Sequence, residues 1–413
     1  MLPSLLVVGA GPLQLAAIHE ARALGIRSIA VDGNSSAVGL ALCDVPYVAD
    51  ILDPDAVSAI AETENIDGIM TLCTDAPVCT VAEVGRRMGL SVLSPQAAAR
   101  ATDKRLMREA FAQWGAPSPR THLVQSLAEA RVAAESLRYP VVLKIGRGSG
   151  SRGIYRVEDN QALQWAYLRC REWQKEGALL LEEWVDGEEV SVEGYCTDRD
   201  CYMVAITDKF LFPGVSPVEA GHCQPSAHAP LREDEIHNCV QAGLRALRLT
   251  WCAFHAEVKL SSKGAQLIEI GARLGGDRIS THLTPLSTGV SLVRVAVLLA
   301  LGERPQSPRI WERAACVRYF DVQRAGTLTE VQGLRRLYEI PGVEVIYPAS
   351  ERDGTLGKGF AIGEVRSSLD RYGHVLYSAA TRKEAIARCE LAASRVCFQF
   401  EDGDSRNGAG TPW

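Results

Sequence analysis

The chain has 413 residues, of which 47% are hydrophobic and 23% are charged, with 44 Lys+Arg against 50 Asp+Glu. This composition is typical of a globular protein and excludes a disordered or collagen-like chain. At about 100 to 200 residues per domain, the length predicts two to four domains. The net charge of −6 argues against a general nucleic-acid or anionic-membrane surface, because both need concentrated Lys and Arg.

Apolar runs and cysteines give no sign of a membrane or secreted protein. The longest apolar run, residues 290–301, contains Arg294 and is shorter than the roughly 20 residues of a membrane span. The first eight residues lack a basic region and read as a strand, not as a signal peptide. The 12 cysteines form no Cys-x-x-Cys pair, so we expect reduced, mostly buried thiols. We therefore expect a cytoplasmic protein.

The first part of the chain alternates strand and helix patterns. The predicted strands are 5–8, 28–31, 68–72 and 91–93, and the predicted helices are 12–24, 54–64 and 76–88. Such alternation implies a parallel sheet with right-handed crossovers. The glycine-rich turn at 9–14 suggests dinucleotide binding, but Gln14 stands where that fingerprint needs a small residue. The sequence therefore disfavours nicotinamide or flavin binding.

A different pattern begins after Ser94 and Pro95, which cap a helix. Mixed strands and helices then predict an α+β region, with strands at 120–124, 141–145, 154–157, 179–185, 190–195 and 202–207, helices at 126–137, 159–171, 232–248 and 290–301, and a hairpin at 253–273. Pro305 and Pro308 mark a second boundary, after which 314–400 is predicted to be a small α+β lobe. Residues 401–413 are predicted to be a flexible tail.

A glycine-rich loop follows a strand that ends in lysine. Lys144 closes the apolar run 141–145, and residues 146–153 contain four glycines. Mobile backbone N–H groups beside a positive charge suit a polyphosphate. A lysine with apolar neighbours can also simply extend to solvent. The glycine loop favours the phosphate interpretation.

Acidic residues end one predicted strand and begin the next around Gly187. Glu182 and Glu183 lie before this connection, and Glu189 lies after it. Such a pair of strands can hydrogen-bond a purine through its backbone and a ribose through a carboxylate. Taken alone, a solvated acidic hairpin is the simpler interpretation.

The hairpin at 253–273 is predicted to turn through three residues, 262–264. That register sets Glu257 opposite Glu269. The same face of the hairpin carries His255, Lys259 and Arg273. The other, apolar face carries Phe254, Val258, Leu260, Ile268 and Ile270. Two carboxylates about 5 Å apart repel unless a cation lies between them. Mg²⁺ prefers one or two carboxylates plus phosphate oxygens, so it is the natural cation. Lys259 is the alternative.

Residues 216–226 are predicted to form a loop that carries an acid, Glu219, and an imidazole, His222, before a helix. Loops that hold an ionisable pair are commonly functional. A lone histidine is nevertheless more often structural.

Taken in order, these motifs resemble those of the ATP-grasp superfamily, and within it most resemble bacterial L-amino-acid ligases of the bacilysin-synthetase type. The motifs are Lys104, Lys144 with its glycine loop, the acidic pair of strands, and Glu257 with Glu269-Ile-Gly-Ala-Arg273-Leu-Gly-Gly. Glu219-Ala-Gly-His222 points to the amino-acid ligase branch. The similarity covers nearly the whole chain.

The resemblance implies an α/β and α+β protein with an ATP-grasp fold. It divides the chain into a Rossmann-like parallel-sheet domain at 1–94, an ATP-grasp domain at 95–305 and a C-terminal α+β lobe at 306–400. Within the ATP-grasp domain it implies a small lid subdomain at about 118–187 and a central subdomain at about 188–305. The implied partners are small-molecule substrates, and the charge and the short apolar runs already argue against nucleic acid and membrane. A homodimer is expected because it is the commonest assembly of soluble enzymes.

The resemblance also implies a carboxylate–amine ligase, in which ATP phosphorylates a carboxylate and an amine attacks the acylphosphate. Lys104 and Lys144 would hold the α- and β-phosphates, under a loop that includes Gly148, Ser149 and Gly150. The residues that would meet adenine are Glu182, Glu183, Trp184 and Val185, and Glu189 would meet the ribose. Glu257 and Glu269 would bind two Mg²⁺ ions, which Mn²⁺ could replace.

Three further residues complete the implied site. Arg273 would stabilise charge on the acylphosphate and on tetrahedral oxygens, and His222 would hold the acceptor carboxylate or the peptide oxygen. Glu219 would be a further metal ligand or an acid on the amine side. Many relatives carry Asn where this chain has Gly271, so one metal ligand is missing. The alternatives are a purine-pathway or biotin-carboxylase-like enzyme, and a degenerate protein that binds ATP without catalysis.

Overall fold

The computed structural model describes residues 2–148, 150, 152–212, 218–306, 308–322, 324–350, 354–363, 365 and 367–407. Its N-terminal unit is a parallel sheet in the order β3-β2-β1-β4, formed by β1 (Ser4–Val8), β2 (Arg27–Asp32), β3 (Val45–Val48) and β4 (Gly68–Met70). Helices α1 (Leu15–Ala23), α2 (Pro54–Glu64) and α3 (Val78–Met88) cover it. The parallel sheet confirms the expected architecture.

Two details of this unit differ from the sequence prediction. Residues 91–93 do not form the expected strand, and they lead instead into helix α4 (Pro95–Thr102). The strand β3 was not predicted, because Val-Pro-Tyr-Val carries a proline and alternates in exposure, as edge strands do. Asp32 accepts a hydrogen bond from the backbone N–H of Ala10 at 2.7 Å, so its carboxylate holds the glycine turn in place.

A four-stranded antiparallel sheet forms the region that the sequence assigned to a lid. Its strands are β5 (Thr121–Val124), β6 (Val141–Lys144), β7 (Ile154–Val157) and β8 (Leu179–Glu183), in the order β5-β8-β6-β7. Helices α6 (Leu127–Leu137) and α7 (Asn160–Trp173) pack on it and close a separate apolar core. Helix α5 (Lys104–Trp114) precedes the sheet and is capped by Asp103.

The largest element is a sheet of nine strands, in the order β13-β12-β9-β10-β11-β14-β19-β16-β17. The strands are β9 (Glu188–Cys196), β10 (Cys201–Leu211), β11 (Glu219–Gln224), β12 (Cys252–Ser261), β13 (Gly264–Gly271), β14 (Ala314–Tyr319), β16 (Val343–Ser350), β17 (Gly354–Thr355) and β19 (Tyr372–Ala379). Helix α8 (Ala229–Leu247) packs on β12 and β13. Because β11 pairs with β14, the sheet continues without a break across the domain boundary expected near 306.

The segment between β13 and β14 contains a π-helical turn (Ile279–Leu283) and the helices α9 (Thr284–Thr288) and α10 (Leu292–Ala300). Helix α10 packs in one apolar core with helix α1 of the N-terminal unit. Among the described residues no single helix is long and apolar enough to cross a membrane, and Ile279–Thr288 with Leu292–Ala300, bent by 115°, meets that criterion only as a pair.

The C-terminal region adds a small sheet and one helix. The strands are β15 (Gly326–Gln332), β18 (Ala361–Ile362), β20 (Cys397–Phe400) and β21 (Ser405–Asn407), in the order β18-β15-β20-β21, and the helix is α11 (Arg382–Arg395). Residues 401–407 belong to the stretch that is expected to be a flexible tail. They turn and pair as β21, and Arg324 binds the Asp404 carboxylate at 2.8 Å. The rest of the expected tail, 408–413, lies outside the described residues.

Four cysteines form disulfide bonds, Cys196–Cys201 between β9 and β10, and Cys223–Cys316 between β11 and β14. The prediction of reduced thiols is therefore wrong for these four, and the other eight are free. In each pair the residues stand directly opposite each other, with Cα atoms 4.0 and 4.2 Å apart. This proximity depends on strand register, which the spacing of cysteines in the sequence does not reveal.

Candidate active site

A cavity of about 440 Å³ lies between the lid sheet and the nine-stranded sheet. The predicted site residues that line it are Lys104, Lys144, Gly148, Gly150, Glu182, Glu183, Trp184, Val185, Glu189, Glu219, Glu257, Glu269 and Arg273. His222 is outside the lining, and Ser149 lies outside the described residues. Residues from distant parts of the sequence thus meet in one place.

The lid side of the cavity contains a buried charge cluster. Lys144 Nζ lies 2.7 Å from Glu182 Oε2, and Arg108 Nε donates to Glu182 Oε1 at 2.8 Å. Burial, together with the charge of Arg108, lowers the pKa of Lys144 to about 8 despite Glu182. Burial raises the pKa of Glu182, but Arg108 and Lys144 outweigh it and hold that pKa below its usual value. The Glu182 carboxylate is thus engaged within the protein, and sequence reasoning missed Arg108.

Lys104 connects the glycine loop to the central hairpin. As the first residue of helix α5, it donates from Nζ to Gly148 O at 2.7 Å and lies 3.0 Å from Glu269 Oε2. Its backbone N–H donates to Gly146 O at 2.9 Å. The two predicted phosphate lysines, Lys104 and Lys144, therefore both line the cavity together with Gly148 and Gly150 of the loop.

The hairpin of β12 and β13 confirms that Glu257 stands opposite Glu269. The predicted three-residue turn is wrong, because Ser261 pairs with Gly264 and only two residues form the turn. A β-bulge between Glu257 and Val258 then adds one residue to β13. The extra residue offsets the shorter turn, so Glu257 and Glu269 still face each other. The bulge residue, Ile268, lines the cavity beside Glu269 and not the predicted core face.

The cation beside Glu257 is Lys209, which the sequence analysis did not identify. Its Nζ lies 3.0 Å from Glu257 Oε1 and 3.7 Å from Glu219 Oε1, and it also contacts Glu189. Lys259, the predicted alternative, instead donates to Gly187 O at 3.1 Å. A usable signal was present: of the chain's eight lysines, four line the cavity, at positions 104, 144, 209 and 259.

The carboxylates of Glu257 and Glu269 suit a hard divalent cation. Both side chains are partly exposed to the cavity, by 24% and 19%, and they come from adjacent strands. The described residues contain no cluster of three or more His, Cys, Asp or Glu side chains that could hold a metal. Mg²⁺ fits a donor set of two carboxylates when substrate phosphate oxygens and water complete its shell. The residues present therefore fit Mg²⁺.

Glu219 and His222 lie on strand β11, so the predicted loop is wrong over 219–224, while residues 216 and 217 lie outside the described residues. The segment Glu-Ala-Gly-His-Cys-Gln has weak strand propensity, and pairing with β10 and β14 on both sides makes it a buried strand. Glu219 accepts a hydrogen bond from Ser368 Oγ at 2.8 Å. His222 is buried and its Nε2 lies 3.3 Å from Asp277 Oδ2.

Two side chains outside the predicted set complete the charged surroundings. Arg371, from the C-terminal region, donates to Asp277 Oδ2 at 2.9 Å. Arg273 donates from Nε to Asp75 Oδ1 at 2.9 Å, and Asp75 belongs to the N-terminal unit. No motif in the sequence connects these partners, because each pair joins residues about a hundred or more positions apart.

An aromatic side chain is held among cations at the expected adenine position. The Trp184 ring lies 4.4 Å from the Arg156 guanidinium and 5.4 Å from Lys259 Nζ. The neighbouring Glu183 pairs with Arg120 at 2.9 Å. The rim of the cavity thus offers a flat surface beside charged groups, which suits a heteroaromatic base.

Comparison with known proteins agrees with this fold. Residues 137–282 match the ATP-grasp domain family, and residues 318–401 match L-amino acid ligase C-terminal domain 2. The chain therefore contains an ATP-grasp domain and is homologous to ATP-grasp ligases. Its C-terminal match and its relatives make it similar to carboxylate–amine ligases, the group that contains the L-amino-acid ligases.

Individual relatives are distant. The chain is 27% identical to an alanine–anticapsin ligase of Bacillus amyloliquefaciens over 63% of this chain and 60% of that protein. It is also 27% identical to a phosphoribosylamine–glycine ligase of Leifsonia xyli, over 95% of this chain and 97% of that protein. The crystal structure of an L-amino acid ligase from Bacillus licheniformis has the same fold, with a TM-score of 0.80 at 20% identity, and covers 97% of this chain and 99% of its own. The chain spans only about half to three fifths of the alanine–anticapsin ligases that it matches.

Proposed function

We propose that the protein uses ATP to join the carboxylate of an amino acid, or of another small carboxylic acid, to the amino group of an amino acid. The observation that carries this proposal is the match of residues 318–401 to L-amino acid ligase C-terminal domain 2. In this structure that region supplies Ser368 and Arg371, which contact Glu219 and Asp277 beside the cavity. The C-terminal region thus contacts Glu219, which lines the cavity.

The reaction has two steps. A carboxylate oxygen of the first substrate attacks the γ-phosphorus of ATP, and the bond to the ADP oxygen breaks. The amino group of the second substrate then attacks the carbonyl carbon of the acylphosphate. The tetrahedral intermediate expels inorganic phosphate and loses a proton, which leaves an amide and ADP.

The phosphate end of the cavity is assigned to cationic groups. Lys104 and Lys144 would bind the phosphates, with the backbone of Gly148 and Gly150 over them. Glu257 and Glu269 would hold Mg²⁺, which offsets the negative charge of the phosphates when it is bound. Lys104 would then exchange its contact with the Glu269 carboxylate for a contact with a phosphate oxygen.

The nucleoside end is assigned to the connection between lid and central sheet. Trp184 and Val185 line the cavity and would contact adenine, together with the backbone around Glu183. The side chain of Glu182 is engaged by Arg108 and Lys144, so only its backbone remains for the base. Glu189 would accept hydrogen bonds from the ribose hydroxyls.

The reacting end is assigned to Arg273 and Glu219. Arg273 would stabilise negative charge on the acylphosphate and on the tetrahedral oxygen. Glu219 lines the cavity and would accept a hydrogen bond from the attacking amino group. His222 is buried behind Asp277, so we assign it to holding that carboxylate beside the acceptor site.

One panel of assays tests the proposal. Purified protein with ATP and Mg²⁺ is given pairs of the common amino acids, and phosphate release and amide mass are measured together. The proposal expects phosphate and amide in equal amounts, and only when a carboxylate and an amine are both present. Phosphate release with bicarbonate alone, and no amide with any pair, would falsify it.

A second candidate function is ligation of glycine to phosphoribosylamine. The full-length similarity to a phosphoribosylamine–glycine ligase supports this candidate, since it covers more of the chain than the alanine–anticapsin ligases do. This second function predicts that glycine forms an amide with phosphoribosylamine and with no amino acid as acceptor. A protein without catalysis, which Gly271 could suggest, would bind ATP and release no phosphate with any substrate.

A further inference from the structure

One ion pair joins the N-terminal unit to the candidate active site. Asp75 lies in the turn that connects the carboxyl end of β4 to helix α3, and its backbone oxygen accepts from Val78 N at 3.2 Å. Arg273 follows β13, two residues beyond Gly271. The guanidinium donates to both carboxylate oxygens, from Nε at 2.9 Å and from Nη2 at 3.1 Å. A bidentate pair of this kind fixes both the position and the plane of the guanidinium.

The pair is held in a restricted space. The side chains of Arg273 and Asp75 are only 12% and 18% exposed. An arginine carries five N–H donors, and Asp75 takes two of them. A third donor, on Nη1, is directed at Leu274 O at 3.4 Å. Because Arg273 also lines the cavity, its other two donors are available to a substrate oxygen there.

Gly271 belongs to the same arrangement. A Cβ atom at position 271 would lie 3.1 Å from Arg273 Cζ and 3.3 Å from Arg273 Nε. The guanidinium therefore packs directly over the glycine, in the space that a side chain would need. A metal-binding side chain at 271 would therefore compete with the Arg273 guanidinium for the same space.

We propose that Asp75 is a positioning residue that fixes the Arg273 guanidinium over Gly271 at the edge of the cavity. This inference rests on the proposed function, because it concerns the charge that Arg273 stabilises there. A fixed positive charge stabilises a developing oxyanion without reorganisation during the reaction. Through this pair the N-terminal unit controls the geometry of the reacting centre without touching the substrate.

A double-mutant cycle tests the inference, with Asp75→Asn, Arg273→Ala and the combined variant. Asp75→Asn keeps the size of the side chain and removes its charge, and we expect kcat to fall at least about tenfold while the KM for ATP stays within about twofold. Because Asp75 acts through Arg273, the combined variant should be no slower than Arg273→Ala alone. Independent losses that multiply in the combined variant, or an unchanged kcat in Asp75→Asn, would overturn the inference.

The control is Asp55→Asn, in the same unit. Asp55 also pairs with an arginine, Arg87, but its side chain is 85% exposed and does not line the cavity. We expect this variant to retain wild-type kcat, which separates a general effect on the N-terminal unit from an effect on Arg273. Thermal unfolding of each variant shows whether it is folded.

Crystal structures of the wild-type protein and of Asp75→Asn separate this inference from the proposed function. If the wild type forms no amide, the proposed function fails, and the position of Arg273 still decides the present inference. We expect the guanidinium to leave Gly271 in Asp75→Asn. A guanidinium that stays in place in that variant would contradict a positioning role for Asp75, whatever reaction the enzyme catalyses.

Discussion

Glu257 and Glu269 stand directly opposite each other on adjacent strands, and each carboxylate has its own lysine. Lys209 Nζ lies 3.0 Å from Glu257, and Lys104 Nζ lies 3.0 Å from Glu269. The two lysines offset a repulsion that would otherwise destabilise the hairpin. Loading the site with Mg²⁺ and nucleotide must therefore redistribute these lysines, with Lys104 free to move to a phosphate.

Glu269→Gln tests this arrangement. The variant removes one of two anionic metal ligands, so we expect turnover to fall about a hundredfold or more and the Mg²⁺ concentration for half-maximal rate to rise. Phosphate release, measured against Mg²⁺ concentration, reports both effects. Glu109→Gln is the matched control, since Glu109 also pairs with a cation, Arg105, but on an exposed helix face. Equal turnover in Glu269→Gln and wild type would reject the metal assignment.

Lys144 predicts a pH dependence of nucleotide binding. Its pKa is about 8 in the folded protein, whereas an exposed lysine titrates near 10.4. A phosphate needs the charged ammonium, so the affinity for ADP should weaken by up to about tenfold per pH unit above pH 8. Calorimetric titrations from about pH 7 to about pH 9.5 measure this slope. Lys144→Met should bind ADP weakly and without the slope. A wild-type affinity that does not change across this range would show that Lys144 makes no phosphate contact.

The lowered pKa of Lys144 also determines whether its contribution to stability rises or falls with pH. Below pH 8 the ammonium is charged in the folded and in the unfolded chain, and the folded state bears the cost of burying it. Between pH 8 and about 10.4 the unfolded chain binds more protons, so the Lys144 contribution to stability becomes more favourable as pH rises. Thermal unfolding of wild type relative to Lys144→Met should show this trend, and a reversed trend would contradict the lowered pKa.

The sequence predicted residue types and their order better than their partners. The facing glutamates were predicted from the hairpin pattern, although the turn was one residue too long and an unseen bulge compensated for it. The scarcity of lysine marked Lys209 only as one of eight, and its partner Glu257 follows from strand order. Asp75 and Arg371 carry no such signal, because they meet their partners through contacts between units. Strand β11 was missed for a related reason. Its polar sequence becomes a strand only through neighbours on both sides.

The substitution Gly187→Ala tests how closely the backbone approaches Leu260 at the connection between the lid and the central sheet. Its φ is 110°, which favours glycine, and a Cβ atom there would lie 2.3 Å from Leu260 O. We expect Gly187→Ala to destabilise the protein by about 2 kcal/mol or more, because backbone must move as well as adopt a strained φ. Thermal unfolding measures the loss. Gly357→Ala is the control, since a Cβ atom at 357 meets nothing within 4 Å and no unusual φ is required. Equal melting temperatures for the two variants would contradict the close approach at Gly187.

The two disulfides predict which of two cysteine variants has the lower melting temperature. Cys223–Cys316 closes a separation of 93 residues, and Cys196–Cys201 closes one of 5. If a disulfide acts mainly by restricting the unfolded chain, the long closure contributes about 4 to 5 kcal/mol and the short one about 2 kcal/mol. Cys316→Ser should therefore lower the melting temperature more than Cys201→Ser.

Alkylation of the denatured protein checks the bonds themselves. Without reductant we expect eight thiols to react, the number that remain free, and with reductant all 12. The bond Cys223–Cys316 ties the strand that carries Glu219 and His222 to the first strand beyond residue 306. Its loss should therefore reduce ligase turnover as well as stability, whereas loss of Cys196–Cys201 should affect stability alone. Reaction of all 12 thiols without reductant would show that both pairs are reduced, and would restore the expectation drawn from the sequence.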